Sequence, residues 1–118
     1  MGSNDQLIQT IIEGILGKKG REVVNMDLAK LDYAACDNFI ICHGDSVTQV
    51  RALADSVEEK LEEKLRISVS HREGIENAQW ILLDYGTAVV HIFLKEARDY
   101  YKLEDLWGDA EITMIHEE

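Results

Sequence analysis

The 118-residue sequence contains no proline, only two cysteines and comparatively few basic residues. Without proline, a low-complexity linker or an internal repeat, nothing along the chain marks a domain boundary. The length is typical of one domain with one hydrophobic core. We therefore expect residues 1–118 to form a single domain in which residues 110–118 are a tail.

The first residues are open to two interpretations. Met1-Gly2-Ser3 has the composition of an expression remnant, in which case residues 1–4 would not belong to the domain proper. Alternatively, Ser3 or Asn4 caps the helix that follows, since both residue types are preferred at that position.

Basic residues are scarce relative to acidic ones, with 12 Lys and Arg against 23 Asp and Glu and a formal net charge of -11. A protein that holds nucleic acid neutralises phosphates with basic side chains. Direct binding to an RNA or DNA backbone is therefore not expected to dominate. The acidic surface favours a basic partner, or it serves only solubility.

The two cysteines and the apolar runs exclude two further classes of protein. Cys36 and Cys42 lack CxxC spacing, and Cys42-His43 alone cannot supply the four ligands of a structural zinc site, so we interpret both as buried thiols. We expect no metal and no cofactor. No apolar segment approaches the roughly 20 residues that span a bilayer, and no signal-like segment is present, which predicts a cytoplasmic protein.

The first half of the chain predicts two helices around two strands. An apolar stripe from Leu7 to Leu16 predicts a first helix that ends at Gly17 or Gly20. Apolar runs predict strands around residues 23–28 and 39–42. Ser46 and Gln49 form an S-x-x-Q capping box before a second helix of about five turns.

The second half predicts mainly strands. Ile67–Ser70 alternates apolar and polar residues as a half-buried strand does. Trp80–Asp84 and Ala88–Leu94 are joined by a short turn, which is typical of a hairpin, and a short helix is predicted over Lys95–Leu106. The tail is either a last short strand or frayed. This order predicts an α+β domain in which a mixed β-sheet is flanked by helices.

The strongest candidate for catalysis is the turn Gly44-Asp45-Ser46, which follows an apolar strand and begins a helix. Backbone N–H groups at such a position can hold a phosphate, and nucleotidyltransferases begin their active site in this way. Phosphoryl transfer by two metal ions also needs paired carboxylates on a nearby strand. The segment ISVSHR has none and the hairpin offers only Asp84, so a plain helix cap is the preferred interpretation.

The four histidines do not form a recognisable catalytic set, because no nucleophile in a G-x-S-x-G elbow accompanies them. His91 is the most informative of them, since it interrupts a strongly apolar strand. It either points to solvent or finds a buried partner, and a structural or contact role is favoured over catalysis.

Aromatic and acidic residues are interleaved over residues 80–109. Tryptophan and tyrosine are the residue types that most often supply binding energy at protein interfaces, and neighbouring acids select a basic partner. From the residues alone, the chain is an acidic α+β domain that binds a protein rather than one that turns over a substrate.

Several segments together resemble the ribosomal silencing factor family, also called Iojap-like. The matching residues, in chain order, are Asp37 to Ser46 with Gln49 and Ala52, Glu73-Gly74, Ala78 to Gly86, Val90 to Phe93, Arg98, Tyr100 or Tyr101, and Leu103 to Trp107. The resemblance extends from about residue 7 to residue 109. It implies a nucleotidyltransferase-like fold without the catalytic carboxylates, and hence no enzymatic activity.

The resemblance also implies a function and a partner. Members of the family bind the large ribosomal subunit through its ribosomal protein fourteen, block joining of the small subunit and so lower translation when nutrients are scarce. The alternatives are a nucleotide-binding or nucleotidyltransferase-like enzyme that uses Gly44-Asp45-Ser46, and a module that forms a homodimer through the hairpin.

We place the contact surface on one face of the hairpin, although both faces are apolar and the sequence does not tell which one is outward. The predicted contact residues are Trp80, Leu82, Asp84 and His91, with Tyr100, Leu103 and Trp107 at the border or in support. Asp84 is predicted to pair with a basic residue of the ribosomal protein.

Overall fold

The computed structural model describes residues 3–115. The helices are α1 (Ser3–Gly17), α2 (Val47–Leu65), α3 (Lys95–Tyr101) and α4 (Leu103–Leu106). The strands are β1 (Arg21–Asp27), β2 (Asn38–Gly44), β3 (His71–Glu73), β4 (Trp80–Asp84), β5 (Ala88–Leu94) and β6 (Glu111–Met114). The predicted class, α+β with a mixed sheet flanked by helices, is confirmed.

The six strands form one sheet in the order β3-β4-β5-β2-β1-β6. The central pair, β2 and β5, is parallel, whereas every other neighbouring pair is antiparallel. Both central strands are almost entirely buried. This agrees with their sequences, because a strand covered on both faces has a continuous apolar run rather than an alternating one.

One face of the sheet is covered by α1 and α2. Leu7, Ile11 and Ile15 follow at intervals of four residues, so they lie on one side of α1 and are buried there. The α2 helix contributes Val50, Leu53, Val57 and Leu61 to the same core. This layer encloses the larger of the two hydrophobic clusters.

The opposite face is covered only in part. A smaller cluster around Met26, Ile41 and Phe93 is closed by Leu103 of α4 and by Leu28 of the segment after β1. Within residues 3–115, no helix lies over Leu82 and Asp84 of β4 or over β3 on this face. Leu82 and Asp84 are half-buried there, as is Trp80, which contacts Tyr101 of α3. None of the helices in residues 3–115 is long and apolar enough to cross a membrane.

Two predictions on secondary structure are wrong. Residues 67–70 are not a strand; the strand lies at His71–Glu73, where it pairs with β4. Since His71 pairs with Asp84, the last residue of β4, the residues before Ser70 have no strand opposite them. The helix predicted over Lys95–Leu106 is two helices, because Lys102 adopts a left-handed conformation with φ +50 between them.

Of the two alternatives for the C-terminal tail, the last short strand is the one that forms. Residues 111–114 are β6 beside β1; residues 116–118 lie outside the described range, as do Met1 and Gly2. Asn4 is not a cap. Its side chain donates to Asn38 Oδ1 at 3.3 Å and accepts from the Thr87 hydroxyl at 2.7 Å, which fastens α1 to the sheet.

The loop that leads into β4 has a conformation that requires glycine at position 74, and a substitution there tests this requirement. Its φ is +81, and a methyl group added to it would overlap with the Trp80 carbonyl oxygen. We expect Gly74→Ala to lower the free energy of unfolding by about 1–3 kcal/mol, because a side chain there is strained in both backbone and space. Urea unfolding measures this change. Gly17→Ala is the control, since nothing lies within 4 Å of an added methyl group; an equal loss in both variants would contradict the explanation.

Candidate functional site

The pairing of β4 with β5 decides which side chains of the hairpin share a face. Trp80 lies opposite Phe93, Leu82 opposite His91, and Asp84 opposite Val89. Because side chains alternate along a strand, these six residues lie on one face. Ile81 and Leu83 point the other way and are fully buried in the core that contains α1 and α2. The outward face of the hairpin is therefore the one that carries Trp80, Leu82, Asp84 and His91.

A groove of about 310 Å³ lies on this face. Its floor is formed by β4, β5 and β2, and its wall by the segment after β1 and by Trp107 just after α4. The lining residues are Leu28, Tyr33, Ala35, Cys36, Phe39, Leu82, Asp84, Gly86, Val89, His91 and Trp107. The groove thus combines an apolar surface with one carboxylate and one imidazole.

Aromatic rings form the wall of the groove. Trp107 stacks on Tyr33 with the ring centroids 5.6 Å apart, and its ring meets Phe39 edge to face at 5.4 Å. Phe39 in turn meets His91 edge to face at 4.5 Å. Such contacts add to the stabilisation from area burial and hold the rings in defined orientations.

A second aromatic group adjoins the groove on the far side of His91. Trp80 stacks on Phe93 at 4.8 Å and touches Tyr101 at 4.9 Å. Its indole Nε1–H donates to His91 Nδ1 at 3.0 Å. The indole therefore has a fixed position, which lowers the entropic cost of using it as a binding contact.

His91 is buried with 4% of its surface exposed, so it does not point to solvent. Burial lowers its pKa to about 4, because desolvation disfavours the charged imidazolium. At neutral pH the ring is uncharged and accepts the Trp80 hydrogen bond. Of the two alternatives from the sequence, exposure to solvent or a buried partner, the second is the one observed.

Asp84 serves the hairpin turn as well as the groove. Its Oδ1 accepts a hydrogen bond from the Gly86 backbone N–H at 2.8 Å, an Asx-type contact that stabilises the turn. The carboxylate is only half-buried, so its charge remains available at the end of the groove.

Arg98 ties the short helices to the sheet. Its guanidinium is buried and donates to the Glu22 carbonyl at 2.9 Å, to His43 Nδ1 at 3.0 Å and to Glu104 at 2.7 Å. The pKa of His43 is lowered by desolvation and further by the Arg98 charge. This network joins β1, β2, α3 and α4 and thereby positions Trp107, which follows α4.

The residues predicted as border or support occupy three different environments. Trp107 lines the groove, and Leu103 is buried beneath α4 with 7% exposure, where it supports the wall from inside. Tyr100 lies apart from the groove on α3, 80% exposed, and is linked to it only through Tyr101 and Trp80. The structure brings together Leu82, Asp84, His91 and Trp107, with Trp80 adjoining.

Sequence reasoning missed part of the wall. The sequence predicts Phe39 only as part of a strand, and it predicts no role for Tyr33. A signal for Tyr33 existed, because an aromatic residue in a polar loop often packs against a distant element, yet the sequence does not identify that element as Trp107. Of the two cysteines expected to be buried, Cys42 is, whereas Cys36 is half-buried in the groove wall.

The turn Gly44-Asp45-Ser46 forms the predicted capping box. The Gln49 N–H donates to Ser46 Oγ at 3.1 Å, and Gln49 Oε1 accepts from the Asp45 N–H at 2.8 Å. The Gln49 amide also donates to two carbonyls at the end of α1. The Asp45 N–H is therefore already occupied within the chain. No group of three or more metal-binding side chains occurs in the part of the chain that the structure describes.

The chain is similar to known proteins over most of its length. Residues 2–118 match the family described as "Ribosomal silencing factor during starvation". The chain is 42% identical over 108 residues to a ribosomal silencing factor RsfS of Halalkalibacterium halodurans, with 92% of this chain and 91% of that protein covered. It is 41% identical over 96 residues to the RsfS of Bacillus subtilis, covering 81% and 80%.

Solved structures show the same fold. A crystal structure of a Chromobacterium violaceum protein superposes with a TM-score of 0.83 at 35% identity, covering 96% of this chain and 92% of that one. A crystal structure of a Bacillus halodurans protein gives a TM-score of 0.79 at 34% identity, covering 96% and 99%.

The burial of His91 predicts how stability depends on pH. The folded pKa is about 4, below the ordinary value near 6.5, so the unfolded chain binds a proton first as the pH falls. The stabilisation is fully present above about pH 6.5 and is lost between there and pH 4, a difference of roughly 3 kcal/mol. The free energy of unfolding is measured from pH 7 to pH 4 for the wild type and for His91→Phe. It should fall less over this range in His91→Phe than in the wild type, because the variant lacks the titrating imidazole. Parallel curves for the two proteins would contradict this.

The buried guanidinium predicts a large effect of Arg98→Met. Removing it leaves the Glu104 carboxylate, His43 Nδ1 and the Glu22 carbonyl without their donor, and we expect the free energy of unfolding to fall by about 3 kcal/mol. Lys95→Met on the same helix is the matched control. Lys95 also pairs with a carboxylate, Asp99 at 3.0 Å, but both side chains are more than half exposed, so little change is expected. Chemical unfolding measures both, and similar losses would show that burial is not the cause.

Proposed function

This chain belongs to the ribosomal silencing factor family, and we propose that it represses translation by binding the large ribosomal subunit through that subunit's ribosomal protein fourteen. The bound domain then blocks joining of the small subunit and lowers translation under nutrient limitation. The relatives in this family are named as silencing factors, which describes a regulator associated with the ribosome.

The observation that carries the proposal is the open face of the hairpin. It presents Leu82 and Asp84 in an apolar groove, with Trp80 beside the groove and in contact with Tyr101 of α3. A tryptophan held in place beside an apolar groove has the character of an interface hot spot. A strand face is also rigid, so its side chains and backbone lose little conformational entropy when the partner binds.

The charge of the domain supports a basic protein partner. The net charge is -11, and Asp84 stands at the end of the groove with its carboxylate half-exposed. An Arg or Lys of the ribosomal protein would pair with it, and the surrounding acids would raise the rate of encounter. The same charge opposes direct attachment to ribosomal RNA.

The mechanism needs no chemistry. The domain measures about 35 × 33 × 30 Å, comparable to a small ribosomal protein. Docked on the side of the large subunit that faces the small one, a body of this thickness fills the space of an intersubunit bridge. Its affinity has only to compete with subunit association. We propose no cofactor and a cytoplasmic location, where the ribosomes are.

Asp84→Asn tests the contact more sharply than a charge reversal, because asparagine can still accept the Gly86 N–H bond of the turn. We expect this variant to bind large subunits more weakly by roughly 2 kcal/mol, since the partner's cation loses its counter-charge. Trp80→Ala should weaken binding at least as much. Co-sedimentation with purified large subunits measures both.

Glu59→Gln is the matched control for Asp84→Asn, because Glu59 is an exposed acid on α2, on the opposite side of the sheet. It should bind like the wild type. Unchanged binding of folded Asp84→Asn and Trp80→Ala would place the interface elsewhere. Sedimentation of the free protein in the same experiment reveals a homodimer, and a dimer that Trp80→Ala dissolves would assign the hairpin face to self-association.

A further inference from the structure

The hydrogen bond between Trp80 and His91 determines the tautomer of the histidine. The indole nitrogen of Trp80 can only donate, so His91 Nδ1 must be the acceptor. The neutral ring then carries its proton on Nε2. Since burial keeps the imidazole uncharged at neutral pH, this tautomer is the one present.

The Nε2–H of His91 has no acceptor within residues 3–115, and the atom is buried. Buried donors are nearly always paired, and an unpaired one loses the hydrogen bond it would make with water. The neighbouring side chains are the aromatic rings of Phe39, Trp80 and Phe93, and Leu82, which lies directly across from His91 on β4. None of them can accept a hydrogen bond of ordinary strength.

The groove around His91 restricts the kind of acceptor. Most of its lining is apolar, and its carboxylate, Asp84, lies on the same face of the hairpin. A carboxylate from the partner would be repelled by Asp84 and would lose its hydration in the groove. An uncharged acceptor avoids the repulsion by Asp84, and an apolar group next to it matches the apolar lining of the groove.

We propose that His91 Nε2–H donates a hydrogen bond to an amide carbonyl oxygen of the protein segment that occupies the groove. This inference rests on the proposed function, because the segment belongs to the ribosomal protein. Asp84 pairs with a cation of the same segment. The site therefore recognises two groups of the partner, a carbonyl oxygen at His91 and a basic side chain at Asp84.

Access to Nε2 requires a small movement. The atom exposes less than 1 Å² of its surface, whereas Phe39 and Leu82 beside the His91 residue are half-buried and line the groove. A partner that fills the groove would turn one of these side chains aside, a rotamer change of the kind that is common when proteins bind. Until then, the donor remains covered and unpaired.

His91→Phe and His91→Gln separate the donor from the shape of the ring. Phenylalanine removes the Nε2–H and also the Nδ1 acceptor of the Trp80 indole, whereas the glutamine amide can present an N–H near the Nε2 position and a carbonyl oxygen to Trp80. In co-sedimentation with large ribosomal subunits, we expect His91→Phe to bind roughly tenfold more weakly. His91→Gln should recover most of that loss.

Thermal unfolding of the free proteins provides the second measurement. Because His91→Phe removes a buried unpaired donor, its melting temperature should equal or exceed that of the wild type. The half-buried Trp80 indole can turn its freed N–H to water. A merely structural role would instead lower stability and binding together, and that result would overturn the inference.

The remaining outcomes are also decisive. If His91→Phe binds as tightly as the wild type, or if both variants lose binding equally, the donor is not recognised and the inference is wrong while the proposed function stands. If the wild type does not bind large subunits at all, the proposed function fails and the inference fails with it.

Discussion

The parallel pairing of β2 with β5 is the constraint on which the rest of the structure depends. It joins two strands that are nearly continuous in apolar residues and buries both at the centre of the sheet. Its register, together with that of β4 against β5, sends Phe39, His91 and Leu82 to one face and Ile40, Val90 and Ile81 to the other. A shift by one residue would exchange the two sets and remove the groove.

The two faces of the sheet are covered to different extents, and that difference creates the candidate site. On one side, α1 and α2 bury almost every side chain they reach. On the other side, two helices of seven and four residues and an irregular segment cover the part from β1 to β5, and Tyr101 of α3 also touches Trp80 of β4. Helices this short contribute little stability of their own. Arg98 therefore has a central role, since its hydrogen bonds hold β1, β2 and α4 together and keep the aromatic wall in place.

Local patterns in the sequence predict most elements of this fold. The stripe of α1, the capping box of α2 and both hairpin strands depend on neighbours within a few residues, and the structure agrees with them. The errors occur where a distant partner decides. Ile67–Ser70 alternates like a strand, yet β4 ends before it can pair with that segment. The break at Lys102, where φ is +50, is not displayed by any local pattern in the sequence.

The candidate site divides in the same way. The sequence by itself determined two things. It supplies the residue types of an interface, because the protein is acidic and its tryptophans and tyrosines are concentrated after residue 79, and it identifies the family to which the chain belongs. Only the tertiary structure decided that Trp80, Leu82 and Asp84 lie half-buried on the open face of the hairpin, with His91 buried among them. It also decided that Phe39 and Tyr33 join this face and that Tyr100 does not. The physical reason is that strand register and helix placement are set by contacts between residues far apart in the chain. Because this hairpin is apolar on both faces, its local sequence pattern is compatible with either face pointing outward.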